Sequence, residues 1–163
     1  MQLPVSHPAT RSALSDDAHT ASHSLPRLRT LRAQEMQPLV IGLGTDLIEI
    51  DRIEQSIRRF GDAFLHRVYT PAEIAYCNRK KNAAESFAAR FAAKEAGAKA
   101  LGTGISRGVS WREFEVRRQP GHRPEVHLSG RAEEIARALG VKRVSLSLSH
   151  SRSMSIAVVV AED

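Results

Sequence analysis

Ala83-Ala84-Glu85-Ser86-Phe87-Ala88-Ala89-Arg90-Phe91-Ala92-Ala93-Lys94-Glu95-Ala96-Gly97-Ala98-Lys99-Ala100-Leu101, closed by Gly102, is the stretch whose reading decides the fold. Alanine is the best helix former, no proline interrupts the run, and glycine is a common C-terminal stop, so one long helix over about 83–101 is expected. At ~100° per residue, Phe91, Glu95, Ala98 and Lys99 share a face, with Arg90 and Lys94 along its flank. A Glu95–Lys99 pair four residues apart is an ordinary device of a solvated face. Two features argue against a wholly solvated one. Phe87 and Phe91 occupy the same side, and Gly97 costs ~1 kcal/mol relative to alanine in a helix interior, which points to close approach by another chain or a ligand.

Outward from that helix the chain punctuates itself. Thr70-Pro71-Ala72-Glu73 is a helix start, with threonine as cap, proline at the first helical position and glutamate three residues on. That helix is expected to end near Lys80-Lys81-Asn82. Further upstream, Leu39-Val40-Ile41-Gly42-Leu43-Gly44 reads as a short buried strand. Ile50, Ile53, Ile57 and Phe60 then recur at helical spacing up to a stop at Gly61. Downstream, residues 109–118 and 124–128 read as strands around a turn at Pro120-Gly121, and Ser129 caps a helix ending at Gly140. Residues 144–149 and 155–160 form two final strands around Ser149-His150-Ser151-Arg152-Ser153. The order strand, three helices, two strands, helix, hairpin predicts an α+β fold, an antiparallel sheet packed against the long central helix.

The chain has 163 residues, 24 Lys plus Arg against 18 Asp plus Glu, and only 5% aromatics, so small aliphatic residues must build most of the core. No apolar run approaches the ~20 residues of a membrane-spanning helix, and no membrane partner is expected. The single cysteine, Cys77, excludes an internal disulfide framework and any multi-cysteine metal site. No internal repeat is visible. Residues 1–37 are rich in Ser, Thr, His and Pro without apolar periodicity and are expected to be a disordered extension, with the folded domain over 38–163. The extension lacks the apolar core of a secretory signal, and Asp16 and Asp17 argue against a transit peptide. Met36-Gln37-Pro38 leads straight into the first strand and is an alternative start, in which case the extension is dispensable or absent.

The chemistry centres on two carboxylates. Asp46 sits just beyond the first strand, where it serves either as the N-cap of the following helix or as a ligand. Glu95 lies mid-helix. If the two converge, they make a hard-cation site suited to Mg²⁺ carrying phosphate oxygens, with Arg90, Lys94 and Lys99 supplying positive charge for a polyphosphate. That combination suits phosphoryl-group chemistry, where positioning and charge neutralisation do most of the work. Gly42-Leu43-Gly44 and Gly102-Thr103-Gly104 complete neither a dinucleotide fingerprint nor a Walker loop. His150 lies at a tight turn whose serines and Arg152 would suit a phosphate, although an exposed turn histidine needs no such role. Cys77 has no nearby histidine and is not read as a nucleophile. Trp111 is read as core or interface packing.

Three motifs in order, Gly42-Leu43-Gly44-Thr45-Asp46-Leu47-Ile48-Glu49-Ile50-Asp51-Arg52-Ile53, then Phe87 through Ala96, then Ser147-Leu148-Ser149-His150-Ser151, closely resemble the holo-[acyl-carrier-protein] synthases, the short class of 4′-phosphopantetheinyl transferases. The resemblance covers roughly residues 39–162. It implies a cytoplasmic enzyme of fatty acid biosynthesis that moves 4′-phosphopantetheine from coenzyme A to a serine of apo acyl carrier protein and releases adenosine 3′,5′-bisphosphate. By that resemblance Asp46 and Glu95 bind Mg²⁺, and Glu95, directly or through water, activates the carrier serine. Lys99 faces the diphosphate and stabilises leaving-group charge. Arg90, Lys94 and His150 hold the nucleotide and its 3′-phosphate, and Arg52 docks the acidic carrier protein. Short members of the family are homotrimers with active sites between subunits. Residues 106–118 are more polar than a simple buried strand, and no site residue is carried over from there.

The formal charge is +6 overall, of which the first 38 residues contribute four Arg against Asp16, Asp17 and Glu35. The basic remainder suits an acidic carrier through electrostatic steering. Two other readings stand beside this one. A broad-range phosphopantetheinyl transferase of large synthases resembles a fused tandem of two such folds, for which this chain is too short. A basic nucleic-acid-binding module would suit the charge, but no aromatic–basic interleaving or zinc-finger pattern is present, so no nucleic-acid partner is expected.

Overall fold

The structure, a computed structural model, describes residues 39–163. The expected extension over 1–37 lies outside them. The described chain runs β1 (Val40–Glu49), α1 (Ile50–Val68), α2 (Pro71–Asn78), α3 (Ala83–Ala100), a 3₁₀ turn (Trp111–Glu113), β2 (Phe114–Arg117), β3 (Glu125–Leu128), α4 (Gly130–Ala138), β4 (Arg143–His150) and β5 (Met154–Glu162). The predicted α+β class and the order of elements hold. Strands β1, β5 and β4 form an antiparallel sheet with β5 in the middle, and β2 and β3 form a separate antiparallel pair.

Helix α3 is the axis of the domain. Its Phe87, Ala88, Ala92, Ala93, Ala96, Ala98 and Ala100 are buried all round the helix: Ala96 and Ala100 meet β1, Phe87 packs on Tyr69, and Ala157, Val159 and Ala161 of β5 are buried in the same core. Side chains this small let helix and strand approach until backbone meets backbone. A methyl group added at Gly42 would sit 1.9 Å from the carbonyl oxygen of Ala100, and one at Gly44 would sit 1.9 Å from that of Ala96. The two glycines of the first motif are therefore packing residues of a helix–strand seam, not a phosphate loop.

That seam also corrects the expected end of the first strand. β1 continues through Gly44 to Glu49, so Asp46 stands mid-strand, opposite Ala157 of β5, and does not cap a helix. The cap position of α1 belongs to Glu49, which makes no side-chain capping bond. Nor is β1 buried on both sides: Leu43 and Leu47 are 64% and 57% exposed, on the face away from α3. Its near-continuous apolar run combines two faces, one against α3 and one open.

Gly61 kinks α1 instead of ending it. At φ 52°, ψ −133° it takes a conformation forbidden to other residues, and the helix resumes to Val68. The capping box at α2 forms as expected, with Thr70 Oγ1 accepting from the Glu73 amide and Glu73 Oε2 accepting from the Thr70 amide. Glu73 does more than cap. It is buried, and its Oε1 accepts from the amide of Val116, tying α2 to β2. α4 begins after Ser129, whose side chain makes no capping bond; Glu113 Oε2 takes the amide of Ala132 from outside the helix.

Candidate active site

The seam between β1 and α3 sets the frame. Gly42 meets Ala100 and Gly44 meets Ala96, so β1 runs antiparallel to α3 and carries Asp46 past the turns that bear Glu95 and Lys99. Lys99 bridges the two elements. Its Nζ donates to Asp46 Oδ1 at 2.8 Å and to the carbonyl of Thr45 at 3.0 Å. Glu95 precedes Lys99 by one helical turn and so lies on the same side of α3. The i,i+4 ion pair between Glu95 and Lys99 does not form; each has found a partner elsewhere.

The partner of Glu95 is Trp111, whose indole Nε1 donates to Oε1 at 2.7 Å. The indole is half-buried between Phe91, with ring centroids 6.2 Å apart and planes tilted by 31°, and the guanidinium of Arg67, 5.7 Å from the ring centre. These residues wall one end of an apolar groove of about 380 Å³ between α1 and α3, lined further by Ile48, Ile53, Phe60 and Phe64. Arg52, exposed in the first turns of α1, stands on its rim. Trp111, read from the sequence as core or interface packing, is a partner of Glu95 that sequence reading did not foresee. The available signal was chemical: an indole N–H that is half-buried needs an acceptor.

Lys94 is corrected. Expected to hold a nucleotide, it has no accessible surface: Nζ donates to Glu73 Oε2 at 2.7 Å and to the carbonyls of Trp111 and Phe114 at 3.1 and 2.8 Å. All three ammonium protons are thus spent inside the fold. Burial lowers the Lys94 pKa, partly opposed by the Glu73 carboxylate. Arg90 also points away from the groove, stacked 4.1 Å over the Tyr76 ring, with one guanidinium nitrogen donating to the Ser86 carbonyl. Its buried Nε meets no acceptor among the described residues. His150 ends β4, and its Nε2 lies 3.2 Å from Glu85 Oε1 at the start of α3. Glu85 and Glu95 are ten residues apart, ~15 Å along the helix axis, so one chain pairs Lys99 with Asp46 and sets Glu95 one helical turn from Lys99, but leaves His150 apart. The close approach foreseen at Gly97 comes from within the chain, the Phe114 ring lying 2.8 Å from where a Cβ would stand.

No group of three or more His, Cys, Asp or Glu suited to a metal occurs among the described residues. Asp46 and Glu95 are the two carboxylates that could hold a cation at the β1–α3 seam. That suits Mg²⁺, which keeps several waters and is commonly held by one or two carboxylates plus substrate phosphates. No described helix is long and apolar enough to cross a membrane.

A model of the 4′-phosphopantetheinyl transferase superfamily matches residues 42–159. The holo-[acyl-carrier-protein] synthases of Koribacter versatilis and Solibacter usitatus are 54% and 50% identical over 125 residues, 77% of this chain and 100% of each relative. Among solved structures, the Neisseria meningitidis synthase superposes with a TM-score of 0.69 at 38% identity, covering 76% of this chain and 99% of that one. The Helicobacter pylori synthase, solved in complex with coenzyme A, gives 0.66 at 36% identity over 74% and 99%. With a family model over residues 42–159 and relatives 50–54% identical along their whole length, the chain belongs to the holo-[acyl-carrier-protein] synthases of the 4′-phosphopantetheinyl transferase superfamily.

Proposed function

We propose that the β1–α3 site transfers 4′-phosphopantetheine from coenzyme A to a serine hydroxyl of apo acyl carrier protein. The observation that supports the residue assignment is the Lys99–Asp46 ion pair at the locked seam, with Glu95 one helical turn from Lys99 on α3. The serine oxygen forms a bond to the phosphorus bearing pantetheine as the bridging P–O bond of the diphosphate breaks. The serine proton passes to Glu95, directly or through water, and adenosine 3′,5′-bisphosphate leaves with the other electron pair.

Asp46 and Glu95 would hold Mg²⁺, which when bound neutralises the diphosphate. Lys99 places a half-exposed ammonium beside Asp46, where it would meet leaving-group charge. His150 and Arg90, which keeps a little exposed surface, are candidates for the nucleotide and its 3′-phosphate. Lys94 is not, having no surface to offer. Arg52 beside the groove is the candidate contact for an acidic carrier protein, with Arg59 and Arg67 exposed farther along α1.

A homotrimer with sites between subunits is part of the same proposal. Two features support it: the separation of His150 from the other site residues within one chain, and the open apolar sheet face of Leu43, Leu47 and Ile156. The expected compartment is the cytoplasm. The test is to mix the protein with Mg²⁺, coenzyme A and apo carrier protein and weigh the carrier. A phosphopantetheine mass addition is expected, lost in Asp46→Ala and Glu95→Ala while both still fold; an unmodified carrier with the wild-type protein overturns the proposal.

A further inference from the structure

We propose that Trp111 is a positioning residue for Glu95, and that Lys94 holds Trp111 in place through the backbone of the 3₁₀ turn. The inference rests on the reading of Glu95 as the reacting carboxylate.

Neighbours in sequence on α3, Lys94 and Glu95 project ~100° apart and grip the same short segment. Lys94 takes its main chain, bonding the carbonyls of Trp111 and Phe114 at its two ends. Glu95 takes its side chain, through the indole N–H at 2.7 Å. Lys94 is fixed in turn by Glu73, whose second oxygen takes the amide of Val116 just beyond. The whole turn is therefore clamped from one side before Trp111 reaches across to Glu95.

What this does for a carboxylate follows from its chemistry. A glutamate on a helix has three side-chain torsions and, unrestrained, samples several directions. A charge-assisted N–H···O bond to Oε1 restricts them and leaves Oε2 to face a cation or a hydroxyl. Groups that orient a ligand from behind commonly change metal affinity or activity 10–100-fold when removed. Phe91 and Arg67 flank the indole plane, so the ring is held for direction as well as packing.

The variant Trp111→Phe keeps an aromatic ring against Phe91 and removes the donor together with part of the indole's volume. Two readouts apply besides turnover. One is Mn²⁺ affinity with coenzyme A present and carrier protein absent, followed by the electron paramagnetic resonance signal of free Mn²⁺. The other is fluorescence of the wild-type protein, in which Trp111 is the single tryptophan. In Trp111→Phe, Mn²⁺ affinity and kcat should fall roughly 10–100-fold, with KM for carrier protein and the melting midpoint little changed. Emission of the wild-type protein should shift on adding Mg²⁺ with coenzyme A, and Glu95→Gln should abolish the Mg²⁺-dependent part. Wild-type Mn²⁺ affinity and kcat in Trp111→Phe would overturn the inference, as would unmoved emission in an active wild-type protein. Should the variant not fold, the emission experiment decides. A wild-type protein that neither transfers nor binds Mn²⁺ removes the reading of Glu95 and this inference with it, a result distinct from the loss of the inference alone.

Discussion

Gly44→Ala tests the seam on which the whole site depends. The added methyl would stand 1.9 Å from the carbonyl oxygen of Ala96 and 2.6 Å from the amide nitrogen of Ala100, where ordinary contact begins at 3.4 Å. The shortfall is 3.4 − 1.9 = 1.5 Å, and both opposing atoms are backbone, so no side chain can swing aside. Overpacking a core where side chains can adapt costs ~1–3 kcal/mol, and a backbone obstacle puts this substitution at or above the top of that range. For a folded domain of this size, each kcal/mol lowers the melting midpoint by roughly 3–5 °C, so a drop of at least ~10 °C is expected. Function should suffer with stability. Asp46 is two residues along the same strand, and a strand displaced from α3 carries its carboxylate away from Lys99. The assay is thermal or urea unfolding of Gly44→Ala beside wild type, with carrier modification measured well below the transition. A midpoint within ~2 °C of wild type would show that β1 and α3 do not touch through their backbones.

Lys94→Met should destabilise the protein by ~3–5 kcal/mol, because it leaves the Glu73 carboxylate buried without its cation. Glu73→Gln combined with Lys94→Met should recover much of that loss in urea melts, and strict additivity of the two single changes would deny the coupling. Cys77 is fully buried, and desolvation pushes its thiol up to about 11. A thiol reagent at pH 8 should therefore label it only after unfolding. Because the folded pKa is raised above the 9.0 of the free thiol, its contribution to stability is present below pH 9 and is lost as pH rises toward 11. Cys77→Ala should flatten that alkaline limb, and an unchanged limb would refute the assignment. Finally, if sites lie between subunits, Asp46→Ala and His150→Ala proteins, each impaired alone, should regain up to about a quarter of wild-type activity when co-assembled at random. No recovery would place each site within one chain.

What could be read from the sequence was what local chemistry decides. The limits of α3 follow from alanine propensity and Gly102, and the start of α2 follows from Thr70, Pro71 and Glu73 acting on their own backbone. The misreadings share one cause, a distant partner. Gly44 looked like the end of a strand because glycine weakens strands, yet it is there because α3 lies against it. Gly61 looked like a helix stop, and only the packing of Phe64, Leu65 and Val68 on the core makes resuming the helix worthwhile. Lys94 and Lys99 differ little as residues. Which one is buried depends on Glu73 and the carbonyls around the 3₁₀ turn, and periodicity within α3 carries no information about either.

The two carboxylates of the proposed site are held in the same way by unrelated means. Asp46 gives Oδ1 to Lys99, Glu95 gives Oε1 to Trp111, and among the described residues neither second oxygen takes a hydrogen bond. Each is thus held by one oxygen and open at the other. The supports differ in what they can yield. Lys99 is half-exposed on a flexible stem and can shift its ammonium toward an arriving phosphate, whereas Trp111 sits on a turn clamped by a fully buried lysine. That asymmetry matches the two roles assigned to the carboxylates. A residue that only shares a cation tolerates a mobile partner, while one that must also meet a serine proton at a fixed point needs a rigid one.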